Sequence, residues 1–221
     1  MDFSITLAEK SRNQLMFKVV ELESKVLELE AEVNAQPFHK KAGKLDYSVP
    51  NEEEKFILKS HTRGINSMAF HPTFGYLASA SDDTTVKIWD FETGSFEKTL
   101  KGHTQAVQDV VFTADGQYLI SCSNDLSIKI WDVSNNYACI RTLHGHDHAI
   151  SGICFIPQGD LIVSVSRDCA VRVWEFATGF SSFNSRFCVK TLNGHSDWVR
   201  CLDYSESLNM LATAGSDQVI K

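Results

Sequence analysis

The 221-residue chain has no apolar run approaching the ~18 residues that a membrane-spanning helix needs, so membrane insertion is not expected. Its opening stretch, "MDFSITLAEKSRNQL", lacks the basic-then-apolar layout of a secretory signal. Basic side chains are in deficit, 21 against 28 acidic, for a net charge of −7. A surface built for nucleic acid would show a basic patch, so nucleic acid is not an expected partner. The six cysteines (Cys122, Cys139, Cys154, Cys169, Cys188 and Cys201) include no C-x-x-C pair. Several fall in strand-like stretches, and they read as buried, reduced thiols of a cytosolic protein rather than disulfides or zinc ligands. These absences leave a globular protein of 43% hydrophobic residues with no fold assigned.

What is present is an internal repeat. His61, His103, His146 and His195 each precede an aspartate by 22 residues: Asp83, Asp125, Asp168 and Asp217. The first three aspartates precede Trp89, Trp131 and Trp174 by six. Within each unit apolar residues alternate, as around Val107–Phe112, and turn signals recur at Pro72, Asp115-Gly116 and Gln158-Gly159. Short, evenly spaced strands with turns between them indicate repeated antiparallel sheets. The interval from Trp to the next His is 14 residues, then 15, then 21. The surplus falls most simply at Ser181–Arg186, a polar stretch that would lengthen a loop between a sheet's two outer strands.

A period of 42–43 residues, Gly-His near its start and Trp-Asp near its end, resembles the WD repeat. That resemblance implies a mainly β fold: a partial propeller over residues 56–221, with repeat motifs at 61–90, 103–132, 146–175 and 195–221. Three repeats are full and the fourth is incomplete. It also implies that the His, Asp, a strand Ser or Thr and the Trp form one hydrogen-bonded chain: His61–Asp83–Ser79–Trp89, His103–Asp125–Ser121–Trp131 and His146–Asp168–Ser164–Trp174. The fourth unit has His195, Asp217 and Thr213, and by the spacing rule its Trp would fall at position 223. The chain is accordingly expected to be a truncated product, with "KFILK" (55–59) left as a closing strand without its partner and unpaired sheet edges exposed.

Ser, His and Asp together invite a catalytic reading, but a catalytic triad would not be built four times, and no enzymatic activity is expected. "HGHDH" (144–148) offers three histidines, yet His146 belongs to the repeat and the segment reads as a turn, so no metal or other cofactor is expected.

The N-terminal part follows another rule. Residues 1–14 read as a short helical segment, with Thr6 and Glu9 placed as a capping box. Leu15, Val19, Leu22, Val26, Leu29 and Val33 are spaced alternately four and three apart, with valine at a and leucine at d. That pattern predicts a parallel two-stranded coiled coil over 15–33, hence a homodimer; the alternative is a lone amphipathic helix. Residues 34–55, with two prolines and mixed charge, read as a linker.

The stretches "KVVELESKV" (18–26), "CIRTLHGHDH" (139–148), "SRDCAVRVWE" (166–175) and "GHSDWVR" (194–200) resemble the lissencephaly family of dynein regulators, over roughly residues 15–221. The resemblance implies a non-enzymatic adaptor that binds the cytoplasmic dynein motor domain and NudE-type coiled-coil proteins. In animals such proteins also associate with the catalytic subunits of a platelet-activating-factor acetylhydrolase. It further implies work in minus-end-directed transport, nuclear migration and spindle positioning, in the cytoplasm on microtubules and at the centrosome or spindle pole. Arg167, Trp198 and Arg200 match basic and aromatic positions of the family's dynein-contacting face, and Arg and Trp suit an interface hot spot. The alternatives are incidental surface residues here, and for the whole chain a generic WD-repeat scaffold.

Overall fold

The computed structural model describes residues 25, 54–176 and 188–221. The chain divides into two compact units, Met1–Glu53 and Glu54–Lys221. In the first, Lys25 is helical and exposed; the expected coiled-coil positions Leu15 to Val33 lie outside the described residues. The Ser181–Arg186 stretch lies outside them too.

The second unit is all antiparallel sheet. Strands β1 (Ile65–Phe70), β2 (Tyr76–Ser81), β3 (Val86–Asp90) and β4 (Ser95–Leu100) form the first meander. β5 (Val107–Phe112), β6 (Tyr118–Ser123), β7 (Ser127–Asp132) and β8 (Ala138–His144) form the second. β9 (Ile150–Ile156), β10 (Leu161–Ser166), β11 (Ala170–Glu175) and β12 (Cys188–Asn193) form the third. β13 (Val199–Ser205) and β14 (Met210–Gly215) make a two-stranded fourth, with one further bridge between Ala214 and Ile220. The first strands of successive sheets lie beside one another in the order β1, β5, β9, β13. Among the described residues no strand of the first sheet pairs with one of the fourth, so the sheets are not joined into a closed ring.

Apolar faces pack between neighbouring sheets. Ala78, Ala80, Val86 and Ile88 of the first sheet meet Val107, Val110, Phe112, Leu119 and Trp131 of the second. Ile120, Ile128, Ile130 and Leu143 then meet Ile150, Ile153, Ile162 and Trp174 of the third. The second strands of the second and third sheets are therefore buried on both faces: five of the six residues of β6 and of β10 are buried in an unbroken run.

A bulge recurs at one place in every first strand. The ladder skips Asn66 in β1, Gln108 in β5, Ser151 in β9 and Arg200 in β13. An extra residue reverses the alternation, which is why Val107, Val110 and Phe112 share the buried face although simple alternation would part them. Asp109, just past its bulge, ties three sheets together. It accepts hydrogen bonds from Ser67 Oγ of β1 (2.7 Å) and from the backbone N–H of Ile153 in β9 (3.0 Å).

"KFILK", expected as a closing strand left without its partner, pairs with no strand among the described residues; a strand needs a neighbour to accept and donate its backbone hydrogen bonds. Phe56 instead rests against Gly94, whose φ of +74° and lack of a Cβ make room for the ring. The expectation of buried thiols needs correction: the cysteines are free, but only Cys122 is buried, while Cys139 on β8 and Cys201 on β13 are exposed.

Candidate protein-interaction site

The repeated polar residues meet in four equivalent networks. In the first, His61 Nδ1 lies 2.8 Å from Asp83 Oδ2 and His61 Nε2 lies 2.7 Å from Ser79 Oγ, while Trp89 Nε1 donates to the same hydroxyl at 2.8 Å. His103, Asp125, Ser121 and Trp131 repeat this at 2.9, 2.8 and 2.9 Å. His146, Asp168, Ser164 and Trp174 repeat it with all three contacts at 2.7 Å. In the fourth, His195 reaches Asp217 at 2.7 Å and Thr213 Oγ1 at 3.0 Å, and the backbone of Thr213 pairs with that of Lys221. The order runs Asp–His–Ser–Trp, with the imidazole in the middle, and not His–Asp–Ser–Trp as the family resemblance implied. The imidazole is the one member with a polar atom at each end, so it alone can bridge a loop carboxylate and a strand hydroxyl.

Each carboxylate also closes its own loop. Asp83 accepts from the backbone of Thr62 and from the backbone and hydroxyl of Thr85, and Asp125 does the same with Thr104 and Ser127. Burial pushes these carboxyls up, but the hydrogen bonds outweigh it and hold both Asp83 and Asp125 well below the usual carboxylate range. At Asp168 burial is likewise outweighed, chiefly by His146, and its pKa is lowered to about 2. The hydroxyls are sealed: Ser121 and Ser164 have no exposed surface, and each accepts a tryptophan N–H. A serine nucleophile must reach a substrate, and these cannot. Nor does "HGHDH" gather into a metal site. His144 is exposed, His146 is committed to its network, and among the described residues no His, Cys, Asp and Glu side chains cluster to hold a metal ion.

Arg167, Trp198 and Arg200 converge. Arg167 follows β10 in the turn after Ser166, where its backbone N–H bonds Ala149 O at 2.9 Å. Trp198 precedes β13, and Arg200 is the bulged residue of that strand. The Arg167 guanidinium carbon lies 4.9 Å from the centre of the Trp198 ring and that of Arg200 lies 5.8 Å from it. Cation–π contacts of this kind contribute ~0.5–1 kcal/mol each at exposed sites. The bulge turns Arg200 so that its Nε donates to Ser216 Oγ at 2.7 Å. Trp198 stays 39% exposed, so the stack is an available surface rather than part of the core.

Sequence reasoning missed His148, whose ring lies 6.1 Å from that of Trp198, and Ser216. A positional signal existed. The residue just before each network aspartate (Asp82, Asn124, Arg167, Ser216) occupies the same loop position in every repeat and changes identity each time. Such a position displays side chains where its neighbour is held for the fold.

Residues 52–90, 94–132, 137–175 and 186–221 each match the WD domain, G-beta repeat family. The chain belongs to the WD-repeat family. Among curated proteins, this WD-repeat chain is similar to the Lissencephaly-1 homolog of Caenorhabditis briggsae, 48% identical over 94% of the chain and 51% of that protein. It is 49% identical to the Lissencephaly-1 homolog of Dictyostelium discoideum over 39% of the chain and 21% of that protein. It is 45% identical to the nuclear distribution protein PAC1-2 of Postia placenta over 39% of the chain and 20% of that protein. The chain thus spans about half the length of the Caenorhabditis relative, and matches only about a fifth of the other two. The resemblance to the lissencephaly family, read from short stretches, extends in the Caenorhabditis relative over nearly the whole WD-repeat chain.

Proposed function

We propose that this chain is a non-enzymatic WD-repeat adaptor of the dynein pathway, and that the Arg167–Trp198–Arg200 stack is the surface with which it docks on the motor domain of cytoplasmic dynein. One observation carries the proposal. Arg167 from one sheet is gathered with Trp198 and Arg200 of the next, about thirty residues on, into a single exposed cation–aromatic stack, the composition that supplies most binding energy in protein interfaces. The names of the relatives, Lissencephaly-1 homolog and nuclear distribution protein, support the pathway. Within the same proposal fall association with NudE-type proteins and with acetylhydrolase catalytic subunits. So do roles in transport, nuclear migration and spindle positioning, and a cytoplasmic location on microtubules and at the centrosome or spindle pole.

The test is a pull-down of the purified dynein motor domain with the wild-type chain and with Arg167→Ala/Arg200→Ala. Capture by the first and loss of capture by the second supports the docking surface. Equal capture by both removes the site assignment. Capture of neither the motor domain nor NudE-type proteins by the wild type leaves the chain a WD-repeat scaffold with other partners.

A further inference from the structure

The fourth network differs from the others in what stands beside it. Trp131 of the second sheet packs in one cluster with Val86 and Leu100 of the first, and Trp174 of the third with Ile128 and Leu143 of the second. Each ring also closes on the glycine just before its network histidine: a Cβ at Gly102 would lie 3.1 Å from the Trp131 ring, and one at Gly145 would lie 3.0 Å from that of Trp174. At Gly194 the nearest neighbour is the Lys221 ammonium instead. The counterparts of those packing partners, Val171 and Leu192, line a cavity of ≈ 260 Å³ together with Gly194, Leu211, Thr213 and Lys221. At ~30 Å³ per water-sized group it has room for a bicyclic aromatic ring. Leu192 is 38% exposed, where its counterparts Leu100 and Leu143 are 3% and 2%. All four tryptophans of the sequence are placed elsewhere, three in their networks and Trp198 in the arginine stack.

We propose that this cavity takes a tryptophan side chain from an extended segment of a protein partner, which adds to the outer edge of β14. The hydroxyl of Thr213 suits an indole. In the neutral ring of His195, Nδ1–H is donated to Asp217 and Nε2 accepts the Thr213 hydroxyl proton. The oxygen is then left to accept an indole N–H, as Ser121 and Ser164 do. The backbone register agrees. Thr213 exchanges both of its backbone hydrogen bonds with Lys221, at 2.8 and 2.9 Å. In an antiparallel ladder the next outward-facing pair of backbone groups belongs to the residue two back, Leu211. In the third sheet the same step leads from Ser164 opposite Arg172 to Ile162 opposite Trp174. A partner residue that pairs with Leu211 therefore sends its side chain where the third sheet holds its indole. Such strand addition draws affinity from the backbone and specificity from the pocket, and the apolar floor of Val171 and Leu192 favours an aromatic ring. The site shares no residue with the Arg167–Trp198–Arg200 surface and does not rest on the dynein reading.

The probe is acetyl-Val-Trp-Glu-amide, the three residues that follow Arg172. It is titrated into the isotope-labelled 221-residue chain and followed by NMR, beside versions with Phe or Ala in the central place. The cavity predicts saturable shifts of the Leu211 backbone amide and the Leu192 methyls with the tryptophan peptide. The alanine peptide binds at least about tenfold more weakly, and the phenylalanine peptide falls between. Thr213→Val brings the tryptophan peptide down to the level of the phenylalanine peptide and leaves the latter unchanged, whereas a general loosening of the sheet would weaken both. Leu192→Lys, at an exposed position of β12, closes the cavity and abolishes the response with the sheets intact by circular dichroism. Lengthening the chain after Lys221 by Val-Trp-Glu also abolishes it, by filling the cavity from the same strand. Equal affinity for the tryptophan and alanine peptides, shifts centred on Trp198, or persistence of the response in Leu192→Lys or in the lengthened chain overturns the proposal. Motor-domain capture is scored separately, and neither result bears on the other.

Discussion

Replacing Ser164 by alanine tests how the networks hold the repeats. Ser164 Oγ is the acceptor for Trp174 Nε1 and the partner of His146 Nε2, both at 2.7 Å. Ser164 has no exposed surface, Trp174 has 2% and His146 4%, so water cannot replace the lost hydroxyl. A buried polar group left without a partner costs ~1–3 kcal/mol, and two are orphaned, so the loss lies at about 2–6 kcal/mol. The fourth network supplies an internal comparison, because Thr213 serves His195 and no tryptophan donates to it. Thr213→Val keeps the side-chain volume and orphans one group, for ~1–3 kcal/mol. Urea unfolding followed by circular dichroism, with hydrogen exchange to locate the weakened sheet, measures both. The expected result is a larger loss for Ser164→Ala than for Thr213→Val, by about one buried hydrogen-bonding group. A loss below ~1 kcal/mol for Ser164→Ala, or equal losses for the two, would refute the reasoning.

Other expectations follow from single residues. Gly116 sits at φ +72°, and a Cβ there would run into the imidazole of His71, whose Nε2 contacts Gly116 O at 3.0 Å; Gly116→Ala should lower stability by about 2 kcal/mol or more, seen as a drop in Tm. The carboxyls of Asp83, Asp125 and Asp168 lie below the ordinary 3.8 in the folded chain. Their contribution is therefore full above that value and is lost as pH falls through the folded values, which for Asp168 is about 2. Acid unfolding monitored between about pH 5 and pH 2 should show this slope, and Asp168→Asn should flatten it. Asp109 has the opposite sign. Burial is the largest influence on it and raises its carboxyl, so its charged form carries a penalty that grows as pH rises through the raised value. Asp109→Asn, which keeps an acceptor for Ile153, should be at least as stable at neutral pH. Asp109→Ala, which orphans that N–H, should lose ~1–3 kcal/mol in a urea melt.

The fold was legible because its most regular feature is spacing. A histidine and an aspartate 22 residues apart must come together in each unit, and Trp89, Trp131 and Trp174 at a constant offset mark the strands. Other features depend on geometry that spacing does not encode. The central place of the imidazole in each network follows from its two ring nitrogens meeting groups on opposite sides. The bulges at Asn66, Gln108, Ser151 and Arg200 leave no mark in composition, yet the last of them turns Arg200 onto Ser216. "KFILK" reads as a closing strand without its partner, and it is paired with none among the described residues, because strand structure belongs to a pair rather than to a segment. Arg167, Trp198 and Arg200 were visible only through a family resemblance. Val171 and Thr213, walls of the cavity beside the fourth network, come together only once the third and fourth sheets pack.

The proposed docking of the Arg–Trp–Arg stack on the dynein motor domain is tested by an equilibrium binding measurement of the purified motor domain against the wild-type chain and Trp198→Ala, with circular dichroism to show the sheets intact. The substitution is expected to weaken binding by roughly 30-fold or more, as for the loss of a hot-spot aromatic worth ~2 kcal/mol or above. An unchanged Kd in a folded Trp198→Ala chain would contradict it.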